Sequence, residues 1–244
     1  MSKFIQTLHS IYAGAVFGIL FILTMPFFMV PILIPSLYKW TGVINRVWAH
    51  AFLTLIFIPY KVEYRFKPDK KSNYIFCPNH FSYMDIPSMG LNPINTIFVG
   101  KNDMESIPVF GYMYRKLHIT VNRSSVKSRY ETLLRSAEAV RDGKSLVIFP
   151  EGGIVTRHPP RMGKFKDGAF RTAIEQQIPI VPVTIPYNWI ILPDGSFLPR
   201  RRKMKVIFHS PILTDNLTME DLPELRQKSF QIIEQELVIC NNEN

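Results

Sequence analysis

The sequence has little charge and little cysteine, and its first sixty residues contain no acidic side chain. Only 20% of its 244 residues are charged and 47% are hydrophobic, a balance that excludes a disordered chain, a collagen or a coiled coil. Cys77 and Cys240 are the only cysteines, too few for a disulfide framework and without the spacing of a zinc site. We therefore expect a chain with a packed core and no bound metal.

Positive charge is concentrated in the middle of the chain. Residues 1–60 carry three bases and no acid, residues 61–210 carry 24 bases and 12 acids, and residues 211–244 carry two bases and seven acids. A basic middle behind an apolar start indicates an anionic surface or an anionic substrate. We expect no nucleic acid as a partner, because the charge is not accompanied by a helix-turn-helix, a zinc finger or an aromatic ribonucleoprotein motif.

Two apolar runs precede this basic region. The first, over residues 10–38, has no ionisable group except tyrosine, and about 20 such residues cross a bilayer as a helix. It is interrupted by Pro26, Pro31 and Pro35, each of which is expected to kink or end a helix. The second run, over residues 47–60, is too short for a straight span.

The two runs together predict a membrane-associated two-helix hairpin over residues 1–60. Such a hairpin dips into one leaflet and returns, and it leaves an α/β domain over residues 61–244 on the cytoplasmic face, against anionic head groups. A single span and a buried pair of core helices are alternatives. A cleaved signal peptide fits less well, because the apolar stretch is too long and has no clear cleavage site.

Short apolar runs alternate with amphipathic segments after residue 60. This alternation predicts an α/β fold with a central, mostly parallel sheet flanked by helices. The predicted strands cover residues 61–66, 74–77, 96–99, 145–149, 180–185 and 205–208, and the predicted helices cover 124–141, 169–177 and 220–238.

A histidine and an aspartate follow the second predicted strand. His80 and Asp85 are separated by a turn that leads into a short helix at residues 86–87, so the carboxylate can fold back onto the imidazole ring. A carboxylate on one ring nitrogen fixes the tautomer and stabilises the protonated ring, which makes the histidine a general base. The alternative is that Asp85 only caps the next helix and that His80 is a polar loop residue.

Other charged residues and glycines follow neighbouring strands. Lys101 follows the third predicted strand, and Glu151, Gly152 and Gly153 follow the strand over residues 145–149. Ligands of open α/β sheets bind outside the carboxyl ends of the strands, and glycines let a backbone approach a ligand closely. We therefore expect these residues to lie near His80.

Four segments in order carry a resemblance to a known family. They are NHFSYMD over residues 79–85, the stretch from Lys101 to Arg123, FPEGG over residues 149–153, and IPIVPV over residues 178–183. In this order they resemble the glycerolipid acyltransferases, and specifically the 1-acylglycerol-3-phosphate acyltransferases, over about residues 60–210.

The resemblance implies an enzyme, an O-acyltransferase of phospholipid biosynthesis. Such an enzyme moves a fatty acyl group from acyl-CoA or acyl carrier protein, as co-substrate, to the free hydroxyl of lysophosphatidic acid, without a cofactor, and gives phosphatidic acid. His80 and Asp85 would then be catalytic. Lys101 and Arg123 would bind the substrate phosphate, and Glu151 would hold glycerol hydroxyls or brace Arg123.

The sequence departs from this family in the third segment. Gly153 stands where the family has Thr or Ser, and Thr156 and Arg157 come three residues late, in a longer loop. This departure leaves open the acylation of another lyso-lipid, such as an aminolipid. A metal-dependent lipid hydrolase is a further alternative. An alternative of another class is a non-catalytic protein that docks on membranes.

Overall fold

The computed structural model describes residues 3–242, and its centre is a seven-stranded sheet with the order β1-β7-β6-β2-β5-β3-β4. Neighbouring strands are parallel except β6 and β7, which are antiparallel. The predicted α/β fold with a mostly parallel sheet is thereby confirmed. The strands are β1 Tyr60–Tyr64, β2 Ile75–Pro78, β3 Thr96–Lys101, β4 Ile119–Val121, β5 Ser145–Ile148, β6 Ile180–Thr184 and β7 Met204–Phe208.

Helices cover both faces of this sheet. Side chains alternate between the faces of a strand, so Ile75 packs toward one set of helices and its neighbour Phe76 packs toward the other. The face of Ile75 is covered by α5, α6 and α8, and the face of Phe76 by α1, α2 and α3. The helices are α1 Lys3–Leu33, α2 Lys39–Leu55, α3 Asp85–Gly90, α4 Phe110–Leu117, α5 Val126–Arg141, α6 Gly168–Gln176, α7 Asn188–Ile191 and α8 Leu222–Asn242.

The first two helices form an antiparallel hairpin. Near its open end the ring of His9 is 2.9 Å from the carbonyl oxygen of Ile56, and the hydroxyl of Tyr12 donates to the carbonyl oxygen of Leu55. The apolar helix α1, of mean hydropathy 2.4 over its most apolar window, is long enough to cross a membrane, and only 11% of that window is buried. The hairpin expected from the sequence is therefore present, with an apolar outer surface.

Of the three prolines in the first run, Pro26 and Pro31 do not end the helix, whereas Pro35 follows its end at Leu33. The helix α1 continues through Pro26 and Pro31, because each proline removes only one of the many backbone hydrogen bonds in a 31-residue helix. Pro35 begins a short 3₁₀ turn that leads into α2. The second helix begins at Lys39, earlier than expected, because Thr41 and Gly42 face the protein interior.

The hairpin shares a core with the sheet. Phe52, Leu53 and Ile56 are buried in the same apolar cluster as Phe76 and Val147 of the sheet. A domain boundary at residue 60 stays a prediction. Because the core is shared, we expect removal of the hairpin to affect the stability of residues 61–244.

Candidate active site

The residues expected near His80 follow adjacent strands at one edge of the sheet. His80 comes after β2, Lys101 ends β3, Arg123 comes after β4 and Glu151 comes after β5. These strands are parallel, with β5 between β2 and β3, so their carboxyl ends lie at the same edge. A ligand site of an open α/β sheet forms at such an edge.

His80 and Asp85 are in direct contact. His80 Nδ1 is 3.0 Å from Asp85 Oδ2, and the same oxygen accepts hydrogen bonds from the backbone N–H groups of Phe81 and Ser82 at 2.7 and 2.9 Å. A carboxylate only accepts, so Nδ1 carries the hydrogen and Nε2 keeps its lone pair. Asp85 is 0% exposed and His80 is 9% exposed, so only a small part of His80 is accessible from outside.

The carboxylate of Asp85 has a further donor that the sequence analysis missed. The amide Nδ2 of Asn188, in α7, donates to Asp85 Oδ1 at 2.9 Å and to Ser88 Oγ at 2.7 Å. Asn188 is itself fully buried. Because it lies 103 residues from Asp85, no spacing in the sequence points to this contact.

Glu151 ties the His80 turn to two loops. Its Oε1 accepts the backbone N–H of His80 at 2.8 Å, and its Oε2 accepts the backbone N–H of Gly163 at 2.7 Å. Glu151 is 1% exposed, and this burial raises the pKa of its carboxyl group to about 7, although the two backbone donors act in the opposite direction. The structure thus pairs Glu151 with backbone amides and shows no ion pair between it and Arg123 among the described residues.

An aromatic ring fixes the plane of the imidazole. Phe149 stacks on His80 with ring centroids 3.9 Å apart and an interplanar angle of 23°. In the sequence, Phe149 ends a predicted strand and begins the FPEGG segment, and neither position indicates a contact with His80. The phenyl ring of Phe149 therefore shields one face of the His80 imidazole from water, and Asp85 binds Nδ1 of the same imidazole.

The two glycines after Glu151 adopt backbone conformations that favour glycine. Gly152 has φ +79° and Gly153 has φ +148°, a region that other residues rarely adopt. A Cβ atom at Gly152 would lie 2.6 Å from Lys166 Nζ, and one at Gly153 would lie 3.0 Å from Arg123 Nη1. The structure therefore brings Arg123 to the glycine loop, and Lys166 with it.

Lys101 and Arg123 differ in their surroundings. Lys101 is exposed and forms an ion pair with Asp103. Arg123 is half-buried, and desolvation lowers its pKa while nearby Tyr114 and Asp103 act in the opposite direction. Within residues 3–242, no cluster of three or more His, Cys, Asp or Glu side chains is arranged to hold a metal ion.

The chain is similar to curated acyltransferases. The chain is 32% identical over 148 residues to the chloroplastic 1-acyl-sn-glycerol-3-phosphate acyltransferase BAT2 of Brassica napus, covering 59% of this chain and 42% of the relative. It is 35% identical over 130 residues to a 1-acyl-sn-glycerol-3-phosphate acyltransferase of Haemophilus influenzae, covering 50% of this chain and 52% of the relative. The chain thus spans about half the length of these two relatives.

A solved structure has the same fold. The crystal structure of the 1-acyl-sn-glycerophosphate (LPA) acyltransferase PlsC from Thermotoga maritima matches with a TM-score of 0.77 and 22% identity, over 97% of this chain and 98% of that one. A family model described as Acyltransferase matches residues 60–186, which include His80, Asp85, Arg123, Glu151 and Lys166. The chain belongs to the acyltransferase family.

Proposed function

We propose that this protein transfers a fatty acyl group from a thioester, acyl-CoA or acyl carrier protein, to the free hydroxyl of 1-acylglycerol-3-phosphate, and so forms phosphatidic acid. The observation that carries the proposal is the 3.0 Å contact of His80 Nδ1 with Asp85 Oδ2. The names of the relatives from Brassica napus and Haemophilus influenzae support the choice of acceptor.

The reaction begins with proton removal from the acceptor. His80 Nε2 takes the proton of the acceptor hydroxyl, and the oxygen attacks the thioester carbonyl carbon. Asp85 holds the ring and stabilises the positive charge that the imidazole acquires. General base catalysis of this kind contributes about 10²- to 10⁴-fold in rate.

The intermediate then collapses with loss of the thiol. The new C–O bond is complete, the carbonyl oxygen carries a negative charge, and the C–S bond breaks as the carbonyl re-forms. The imidazolium returns its proton to the departing thiolate, so protons balance over the cycle. A thioester is already activated, and no nucleophile of the protein is needed.

Backbone N–H groups are the proposed donors to the oxyanion. The amides of Phe81 and Ser82 already donate to Asp85, and the amide of Gly152 donates to the carbonyl of Phe149 at 3.0 Å. Because these N–H groups already have acceptors, we propose the N–H of Gly153, the next residue in the same loop, as the donor to the oxyanion.

We propose further that α1 lies in the membrane with the catalytic edge on the cytoplasmic face. Large apolar side chains on the outside of α1 support its place in the membrane, among them Phe4, Ile11, Ile22, Phe27 and Leu33. The net positive charge of residues 61–210 favours contact with anionic head groups. Acceptor and product are both membrane lipids, so the enzyme would work where its substrate is.

An acceptor panel tests the proposed function. The purified full chain in lipid vesicles is assayed with lysophosphatidic acid, lysophosphatidylethanolamine and monoacylglycerol, each with acyl-CoA and with acyl carrier protein thioester. We expect phosphatidic acid from lysophosphatidic acid with one of the donors, and formation slower by about 10²- to 10⁴-fold with His80→Ala. If the protein acylates lysophosphatidylethanolamine faster, that lipid replaces lysophosphatidic acid as the proposed acceptor. If no lipid is acylated, the proposed function is wrong.

A further inference from the structure

Two cations lie directly on the glycine loop. The ammonium of Lys166 and the guanidinium of Arg123 occupy the spaces that side chains at Gly152 and Gly153 would need. The backbone N–H of Lys166 also donates to the carbonyl of Pro150 at 2.8 Å, which fixes this lysine beside the loop. We call Arg123 and Lys166 the cation pair.

Neither member of the cation pair has a carboxylate partner within 4 Å in the part of the chain described, residues 3–242. This distinguishes them from bases nearby. Lys101 is paired with Asp103, and Asp167, directly after Lys166, is paired with Arg226 instead. Glu151 of the same loop accepts two backbone N–H groups instead. Two cations gathered on one loop without an ion pair create a local positive potential that favours an anion.

Glu151 connects the glycine loop with the turn that carries the proposed base. Gly152 follows Glu151, and the carboxylate of Glu151 accepts the backbone N–H of His80 at 2.8 Å. In the proposed acceptor, the phosphate is attached to the carbon beside the one that carries the reacting hydroxyl. An anion held at the glycines would therefore keep that hydroxyl close to the loops that Glu151 joins to the His80 turn.

The two side chains suit a phosphate in different ways. The planar guanidinium of Arg123 offers paired donors to two phosphate oxygens, whereas the flexible ammonium of Lys166 acts as a point charge. Gly152 and Gly153 have no side chains that would separate a phosphate from these cations. The glycine loop therefore offers a phosphate positive charge, hydrogen-bond donors and space to bind.

We propose that Lys166, together with Arg123, binds the phosphate of the acceptor and sets the preference for phosphate-bearing lyso-lipids. This inference rests on the proposed acyltransferase function. It gives Lys166 a role that its sequence position alone does not indicate, and it makes Lys101, which Asp103 neutralises, a lesser contributor.

Lys166→Met tests the inference, because methionine keeps an apolar stem of similar length without the charge. Lys164→Met is the matched control, since Lys164 is an exposed lysine two residues earlier in the same loop. We expect Lys166→Met to raise the KM for lysophosphatidic acid at least about tenfold, with the KM for monoacylglycerol and for the thioester donor unchanged. Lys164→Met should match the wild type, and Lys166→Arg should recover most of the affinity.

Two kinetic outcomes would overturn the inference. If Lys166→Met behaves like Lys164→Met toward lysophosphatidic acid, Lys166 does not bind the acceptor phosphate. If only the KM for the thioester donor rises, the lysine binds a phosphate of the donor.

A binding measurement separates this inference from the proposed function. Titration of the wild type and of Lys166→Met with sn-glycerol 3-phosphate, followed by NMR, requires no turnover. Weaker binding by the variant supports the phosphate site even if no lyso-lipid is acylated, in which case only the proposed function fails. Equal binding by the two proteins overturns the phosphate site, whatever the wild type acylates.

Discussion

The substitution Asp85→Asn isolates the charge of the carboxylate from its shape. The distance of 3.0 Å between His80 Nδ1 and Asp85 Oδ2 gives an attraction between imidazolium and carboxylate of about 5 kcal/mol at an effective dielectric constant of about 20. Each 1.36 kcal/mol corresponds to tenfold in rate. We therefore expect kcat to fall by about 10³- to 10⁴-fold.

The substituted protein should keep its fold. An asparagine at position 85 can hold its amide oxygen toward the N–H groups of Phe81 and Ser82. Its amide nitrogen then faces Asn188, whose Oδ1 has no hydrogen-bond partner among the described residues and can turn to accept. Thermal unfolding of Asp85→Asn should therefore resemble that of the wild type.

The assay is steady-state acylation of lysophosphatidic acid by the full chain in vesicles. Asp142→Asn is the control, since Asp142 is an exposed carboxylate paired with Lys144, and it should leave kcat unchanged. A kcat for Asp85→Asn within tenfold of the wild type, in a protein that folds normally, would refute the role given to the carboxylate.

Three further predictions concern residues around the base. Asn188→Ala removes a donor from Asp85, so kcat should fall about tenfold or more with little change in KM; an unchanged kcat would contradict the contact. The pKa of Glu151, raised by burial from 4.5 to about 7, means that the folded state keeps a proton that the unfolded chain has lost. The contribution of Glu151 to the free energy of unfolding should therefore fall as pH rises from 4.5 to about 7. Burial lowers the pKa of His118 and of His209 to about 4, which acts in the opposite direction over the same range, so the measure is the difference between the wild type and Glu151→Gln. Urea unfolding should show the wild type losing stability relative to Glu151→Gln as pH rises, and parallel curves would contradict it. Deletion of residues 1–60 removes six buried side chains of the shared core, and the five larger than alanine are each worth about 1.5–3 kcal/mol. Residues 61–244 alone should therefore not unfold cooperatively; a cooperative transition by circular dichroism would instead support a boundary at residue 60.

The sequence predicted the strands that are buried on both faces. β2, β5 and β6 are short apolar runs, and their observed bounds agree with the predicted ones to within one residue. β4 was missed because it is a three-residue edge strand with no run long enough to stand out. The sequence left open whether Pro26 and Pro31 end α1 or only bend it, because local proline rules do not weigh the length of the helix on either side.

Part of the candidate site could be predicted because it lies in consecutive segments at strand ends. The contact of His80 with Asp85 depends on a single turn, and a turn is encoded locally. The contact of Asn188 with Asp85 and the position of Lys166 over Gly152 depend on how distant strands and loops are arranged. Such contacts appear only when the sheet order is known.

The most direct test of the central claim is single-turnover transfer of a labelled acyl group from acyl-CoA, or from the carrier thioester if that is the donor, to lysophosphatidic acid by the wild type and by His80→Ala. Equal thermal unfolding of the two proteins serves as the control. We predict a rate lower by about 10²- to 10⁴-fold in His80→Ala. A variant that transfers the acyl group at the wild-type rate would contradict the assignment of His80 as the base.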